Sequence, residues 1–234
     1  MFQSQHQLYL QTKLLNDSWL TPILLASGVD TAYLLSNSQG QIVVVWQPIN
    51  ELETVLVSEI SITTSGAINV TPASSSTILT SRLIGTPVFN KQGTLAMLRN
   101  LSSTDADSYV VTQYQISSGW NLSPEISLNA SGFDTSNIQL ALTSDNQLIA
   151  FAQSIALRSL HSAFLLPNGS WTPWIQVQSN FETPTALVGQ YKVATSDIGH
   201  LYVMWVEERI NANSPDYLVM FSNFNASKLT SGFP

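Results

Sequence analysis

Two hundred and thirty-four residues suit one large domain, and all-β domains often run to this length undivided. Only 10% of the residues are charged and the net charge is −7, with eight Lys and Arg, so the basic stripe that binds nucleic acid or an anionic membrane surface is missing. Cysteine is absent, which excludes disulfides and thiolate metal sites.

Ser, Thr, Asn and Gln supply the polar surface in place of charge. Short hydroxyl and amide side chains compete for backbone hydrogen bonds, so this composition favours strands and turns over helices. Apolar runs such as Ile42 to Trp46 are too short to cross a bilayer, and no membrane insertion is expected. Met1 to Gln7 show no apolar leader; compartment is not read from the sequence, and an extracellular or cell-surface location is compatible with it. Seven Asn-x-Ser/Thr sequons, at Asn16, Asn69, Asn100, Asn121, Asn129, Asn168 and Asn225, read first as turn chemistry.

An internal period governs the chain. Ser38-Gln39-Gly40-Gln41 precedes Ile42 to Trp46, and Lys91-Gln92-Gly93-Thr94 precedes Leu95 to Arg99. Ser144-Asp145-Asn146-Gln147 precedes Leu148 to Ala152, and Asp197-Ile198-Gly199-His200 precedes Leu201 to Trp205. The turn residues fall at 40, 93, 146 and 199, a constant step of 53.

Each unit resolves into four strands. The first precedes the turn: Thr31 to Asn37, Ile84 to Asn90, Asn137 to Thr143, and Gln190 to Ser196. The second follows it and is apolar on both faces, the mark of a strand covered on both sides. The third follows a polar loop: Thr54 to Ile62, Ser108 to Ser117, Ser162 to Leu166, and Tyr217 to Phe224. The fourth opens at Ile68, Trp120 or Trp171 with a Pro nearby, as an edge strand tolerates.

Four-stranded units of this length predict an all-β fold: a β-propeller of four repeats in a single domain, residues 1–234. A β-sandwich or jelly roll is the alternative, but neither demands so regular a period. The ends do not close tidily. Leu8 to Leu14 and Ser18 to Leu25 read as third- and fourth-type strands ahead of the first unit, and the simplest closure has the Trp19 strand complete the last blade. The chain could also be an incomplete part of a larger propeller, or complete its ring by self-association.

Leu166-Pro167-Asn168-Gly169-Ser170-Trp171-Thr172-Pro173 resembles the Asp-box (BNR) repeat of sialidase-like propellers, roughly Ser-x-Asp-x-Gly-x-x-Trp followed by Pro. Ser117-Ser118-Gly119-Trp120 and Asn16-Asp17-Ser18-Trp19 are shorter copies, and Thr64-Ser65-Gly66-Ala67-Ile68 has lost the Trp. The resemblance implies a hairpin between third and fourth strands, with Trp19, Trp120 and Trp171 as packing residues. It does not imply sialidase catalysis, which grips a carboxylate with three Arg and uses a Tyr–Glu pair. Of Arg82, Arg99, Arg158 and Arg209, only Arg82 sits at the entry to a first strand.

Ten of the fifteen carboxylates fall in the connections from fourth to first and from second to third strands. These are Asp30, Asp134 and Glu182 in the former, and Glu51, Glu53, Asp105, Asp107, Glu207, Glu208 and Asp216 in the latter. Charge collects in loops anyway, but an acidic funnel could hold a glycan or protein partner, with Asp30, Arg82, Asp134 and Glu182 as ligand-binding candidates. In the alternative, Asp30, Asp134 and Glu182 serve glycoside hydrolysis as acid and base or nucleophile. A third reading is a structural segment of a larger surface or secreted protein. His6, His161 and His200 fall in separate places, and no His-Glu-x-x-His, calcium-loop or phosphate-loop pattern occurs, so no metal and no cofactor is expected.

Overall fold

The computed structural model describes residues 2–4, 6–13, 18–51, 53–77, 83–100, 108–116, 118–177, 185–187, 191–209 and 216–225. Among them, five antiparallel sheets follow one another along the chain.

The first sheet holds β1 (Phe2–Ser4), β2 (Gln7–Leu10) and β3 (Ile23–Ser27). The second holds β4 (Val29–Ser36), β5 (Ile42–Pro48), β6 (Thr54–Ile62) and β7 (Ile68–Val70), and β8 (Ser74–Thr77) also pairs with β6. The break between β7 and β8 carries Pro72, which has no N–H for the ladder, while Thr71 donates its amide to the Glu59 carbonyl instead.

The third sheet runs β9 (Leu83–Phe89), β10 (Thr94–Asn100), β11 (Ser108–Gln115) and β12 (Gly119–Asn129). The fourth runs β13 (Gln139–Leu142), β14 (Leu148–Gln153), β15 (Leu160–Phe164) and β16 (Ile175–Gln176). In the fifth, β17 (Thr185–Leu187) and β18 (Lys192–Thr195) both pair with β19 (His200–Arg209), which pairs with β20 (Asp216–Asn225).

Strand alternation explains why the sheets stack. On β5, Val43 and Val45 pack with Leu95 and Met97 of the third sheet, while Val44 and Trp46 point the other way onto Leu8 and Leu10. On β10, Ala96 and Leu98 meet Leu148, Ala150 and Ala152 of the fourth sheet. Ile149 and Phe151 on β14 in turn meet Leu201, Val203 and Trp205 of the fifth. β5, β10 and β14 are apolar on both faces because each has a sheet on both sides. Burying one such Val or Leu contributes about 1.5–3 kcal/mol, so these central strands carry much of the fold's driving force.

Three expectations need correction. The Trp19 strand does not complete the last sheet: β3 pairs with β2, and the N-terminal sheet packs through Leu8 and Leu10 on the second sheet. Phe2–Ser4, ahead of the first strand read from the sequence, is itself a strand paired with β2. Trp19 is an exposed residue at an isolated bridge to Lys13 rather than a packing residue. Trp120 and Trp171 are half-buried in the cores, as expected.

Candidate functional site

Asp30 and Ser36 lie six residues apart on β4, which puts the two ends of the sheet about 20 Å apart. Each end gathers its own set of connections.

At the Ser36 end, four turns share one construction. Asn37, Asn90, Thr143 and Ser196 each donate their backbone amide to the carbonyl of the residue four on, at Gln41, Thr94, Gln147 and His200. In each turn the side-chain oxygen of the first residue accepts a further bond from the later amide, at 3.0–3.1 Å. The left-handed position is taken by Gly40, Gly93, Asn146 and Gly199, with φ of 74°, 79°, 63° and 81°. Glycine and asparagine are the residues that reach this region at least strain, hence the composition of the turn.

The turns also bind one another. Asn37 Nδ2 donates to the Asn90 carbonyl at 2.7 Å, and Asn90 Nδ2 donates to the Thr143 carbonyl at 2.9 Å. Lys91 Nζ donates to the Asp197 carbonyl at 2.7 Å, two turns further along. Together they line a half-open cavity of about 180 Å³, with Ser36, Phe89, Leu142 and Thr195 in its lining. Those four residues are 53 apart in sequence. The volume is below the roughly 300–1,000 Å³ of typical small-molecule sites.

The opposite end holds the sequence-predicted candidates. Asp30 is half-buried at the start of β4 and accepts from Thr31 Oγ1 at 3.2 Å. Asp134 is half-buried at the head of a single 3-10 turn, Thr135–Asn137, where its Oδ1 accepts from Ser136 N and Ser136 Oγ at 3.0 and 2.7 Å. Arg82 and Glu182, with Asp105 and Asp107, lie outside the described residues.

Four carboxylates expected in loops lie in strands, Asp30 on β4 among them. Glu207 and Glu208 pair on β19 with Leu218 and Tyr217, so that ladder runs further than the polar sequence suggested. Glu207 is buried and accepts from Trp205 Nε1 at 2.7 Å. Asp216 likewise opens β20 opposite Arg209. His161 is buried on β15.

An aromatic group beside Asp134 escaped the sequence reading. Phe133 bridges to Ser154, and Asp134 N donates to the Gln153 carbonyl, so the fourth-to-first and second-to-third connections join here. Phe133 lies 4.5 Å from the Trp174 ring and 5.3 Å, edge-on, from His161. Trp174 Nε1 donates to the Asn129 carbonyl at 2.8 Å, which fixes the indole plane. These residues come from three separated segments, so only tertiary pairing brings them together.

Two buried polar side chains serve the frame. Arg99 is fully buried on β10 and its Nη2 donates to the Glu53 carbonyl, tying down the connection after β5. Tyr191 is fully buried; its one hydroxyl proton is shared between the carbonyls of Asn137 and Phe151, both within hydrogen-bond distance, and desolvation pushes its pKa upward. Among the described residues, no group of three His, Asp or Glu is placed to hold a metal ion. None of their helices is long and apolar enough to cross a membrane.

No protein-family model matches the chain, and no curated protein does. Solved structures do. A polysaccharide lyase, an ulvan lyase bound to -[GlcA(1-4)Rha3S]-, superposes with a TM-score of 0.50 at 8% identity, over 83% of this chain and 52% of that one. The likeness is one of fold: all-β and propeller-like. An exo-β-1,3-galactanase from Phanerochaete chrysosporium gives 0.46 at 14% identity over 83% and 49% of the two chains. A protein from Lactobacillus plantarum gives 0.45 at 14% identity over 95% and 69%. This chain thus spans about half the length of the lyase and the galactanase.

Proposed function

We propose that this chain is a non-catalytic β-propeller module, built from four units of 53 residues fanned about an axis, that binds a neutral glycan at the end carrying Asp30 and Asp134. The four matched turns, the bonds between them and the cavity lined at 53-residue steps support the fan. The turn chemistry between third and fourth strands supports the Asp-box likeness. Lys13↔Trp19, Ile62↔Ile68, Tyr114↔Trp120 and Leu165↔Trp171 all pair across six residues.

The observation that carries the ligand assignment is the Phe133–Trp174 pair beside Asp134. A fixed aromatic plate takes the C–H face of a sugar, and a few polar groups beside it orient the hydroxyls. Binding rather than turnover is proposed because Asp134 Oδ1 already serves its own turn, accepting from Ser136 N and Ser136 Oγ. Asp30 stands at the same end, and Arg82 and Glu182 are kept as proposed ligand-binding residues on their sequence positions.

The ulvan lyase named above carries a ligand of uronate and sulfated rhamnose, a polyanion. A chain of net charge −7 with its acids at this end repels such a ligand, so the glycan class proposed here is neutral. Calorimetry and reducing-end assays on a panel of neutral and anionic polysaccharides test this. We expect binding to a neutral polymer, a tenfold or greater loss in Trp174→Ala, and no reducing ends released. Release of reducing ends that Asp134→Asn abolishes would instead make the chain a glycosidase.

A further inference from the structure

The fifth sheet has one face covered and one bare. At steps of 53, Tyr202 and Met204 correspond to Ile149 and Phe151, to Ala96 and Leu98, and to Val43 and Val45. Those six are buried against the sheet that follows theirs. Met204, by contrast, is 48% exposed, and Val219 and Phe221 on the same face of β20 are 72% and 63% exposed. Tyr202 stacks on Phe221 at 5.9 Å, so the face presents ordered aromatic surface. A contiguous apolar patch of this kind marks an interaction site.

We propose that a second copy of this chain covers this face, head to tail, through its N-terminal sheet. The occupant follows from how the stack is built. The leading faces of the first four sheets are each covered by the trailing face of the sheet that follows, so the trailing faces of the second to fifth sheets are already taken, as Val44, Leu95, Leu148 and Leu201 show. The N-terminal sheet is the remaining one. Leu8 and Leu10 point into the second sheet, so alternation turns Tyr9 outward, opposite Leu24, which is 49% exposed. The two ends of the stack are therefore a bare leading face and a bare trailing one, among the described residues. A contact that joins two different surfaces is heterologous, and it continues until a ring closes.

Light scattering on a sizing column tests this on the whole chain. The wild type should show a mass of at least two chains of 25.6 kDa, rising with loading. Phe221→Glu and Leu24→Glu should each run at lower mass, and a one-to-one mixture of the two should restore a two-chain species, because each variant keeps the surface the other has lost. Val219→Lys repeats the first test at a more exposed position, and circular dichroism confirms that each variant is folded. A wild type that is one chain at every loading overturns the proposal. So does loss of association in Phe221→Glu with none in Leu24→Glu, the result for two identical faces pairing with each other. Neither outcome depends on the glycan assignment, which calorimetry reads separately.

Discussion

Asn90 and Thr143 stand 53 residues apart, and the Asn90 Nδ2 donates to the Thr143 carbonyl at 2.9 Å. The same Asn90 accepts from Gln92 N and Thr94 N through Oδ1, so one side chain both shapes its own turn and holds the next. Asn37 does the same one step earlier, with Gln39 N, Gln41 N and the Asn90 carbonyl. The series stops at Thr143, whose hydroxyl closes its own turn but has no amide to pass on.

Asn90→Ala should therefore lower stability by about 1–3 kcal/mol, the usual result of stranding a buried carbonyl and losing a turn acceptor. Asn90→Asp keeps the acceptor and loses the donor, so it should fall between Ala and wild type. Urea unfolding midpoints at neutral pH measure all three, and equal midpoints for Ala and wild type would remove the link between the turns.

Gly85 offers a sharper steric test. Its φ is +66°, and a Cβ built there would stand 2.9 Å from the backbone carbonyl oxygen of Ile138 on the next unit. Backbone cannot rotate away as a side-chain tip can, so Gly85→Ala should destabilise by at least about 1–2 kcal/mol from the left-handed conformation alone. Gly40 has a φ of +74° and nothing within 4 Å, so Gly40→Ala reports the strain without the clash. Thermal melts should place Gly85→Ala clearly below Gly40→Ala.

Tyr114 gives a pH dependence. Burial, and then its hydrogen bond and charge repulsion with Glu59 at 2.9 Å, push the phenol pKa from 10.0 up to about 12. A raised folded pKa means the contribution is whole below the unfolded value of 10.0 and fades as pH rises through about 12. Stability should thus decline over that window, and Tyr114→Phe should decline less over it. Denaturant midpoints at neutral pH and along the alkaline series measure the difference, and parallel curves would remove Tyr114 as the cause.

Legibility in the sequence tracked how local the cause was. The turns at 40, 93, 146 and 199 were readable because the left-handed residue and the side-chain acceptor sit within five residues of each other. The strand Thr54–Ile62 was read to its last residue, since polar loops bound it on both sides. Glu207 was misplaced because a carboxylate looks like loop until Trp205 Nε1 is seen to satisfy it inside a ladder. Phe133, Trp174 and His161 could not be grouped at all, because sheet pairing alone unites 133, 161 and 174. The role of the N-terminal strands was misread because their partner sheet is decided by Leu8 and Leu10 meeting Val44 and Trp46, a contact without local signature.

The central claim is that the units fan about an axis instead of lying in a flat row. Lys91 and Asp197 are two units apart, yet their side chain and carbonyl meet at 2.7 Å. In a flat row, sheets two apart stand about 20 Å from each other, twice the usual face-to-face spacing. The chain has no native cysteine, so Lys91→Cys with Asp197→Cys gives a clean pair. A homobifunctional thiol reagent spanning about 10 Å, one sheet spacing, should bridge them within one folded chain, and the bridge should vanish in urea. A folded double variant that this reagent leaves unbridged would contradict the fan.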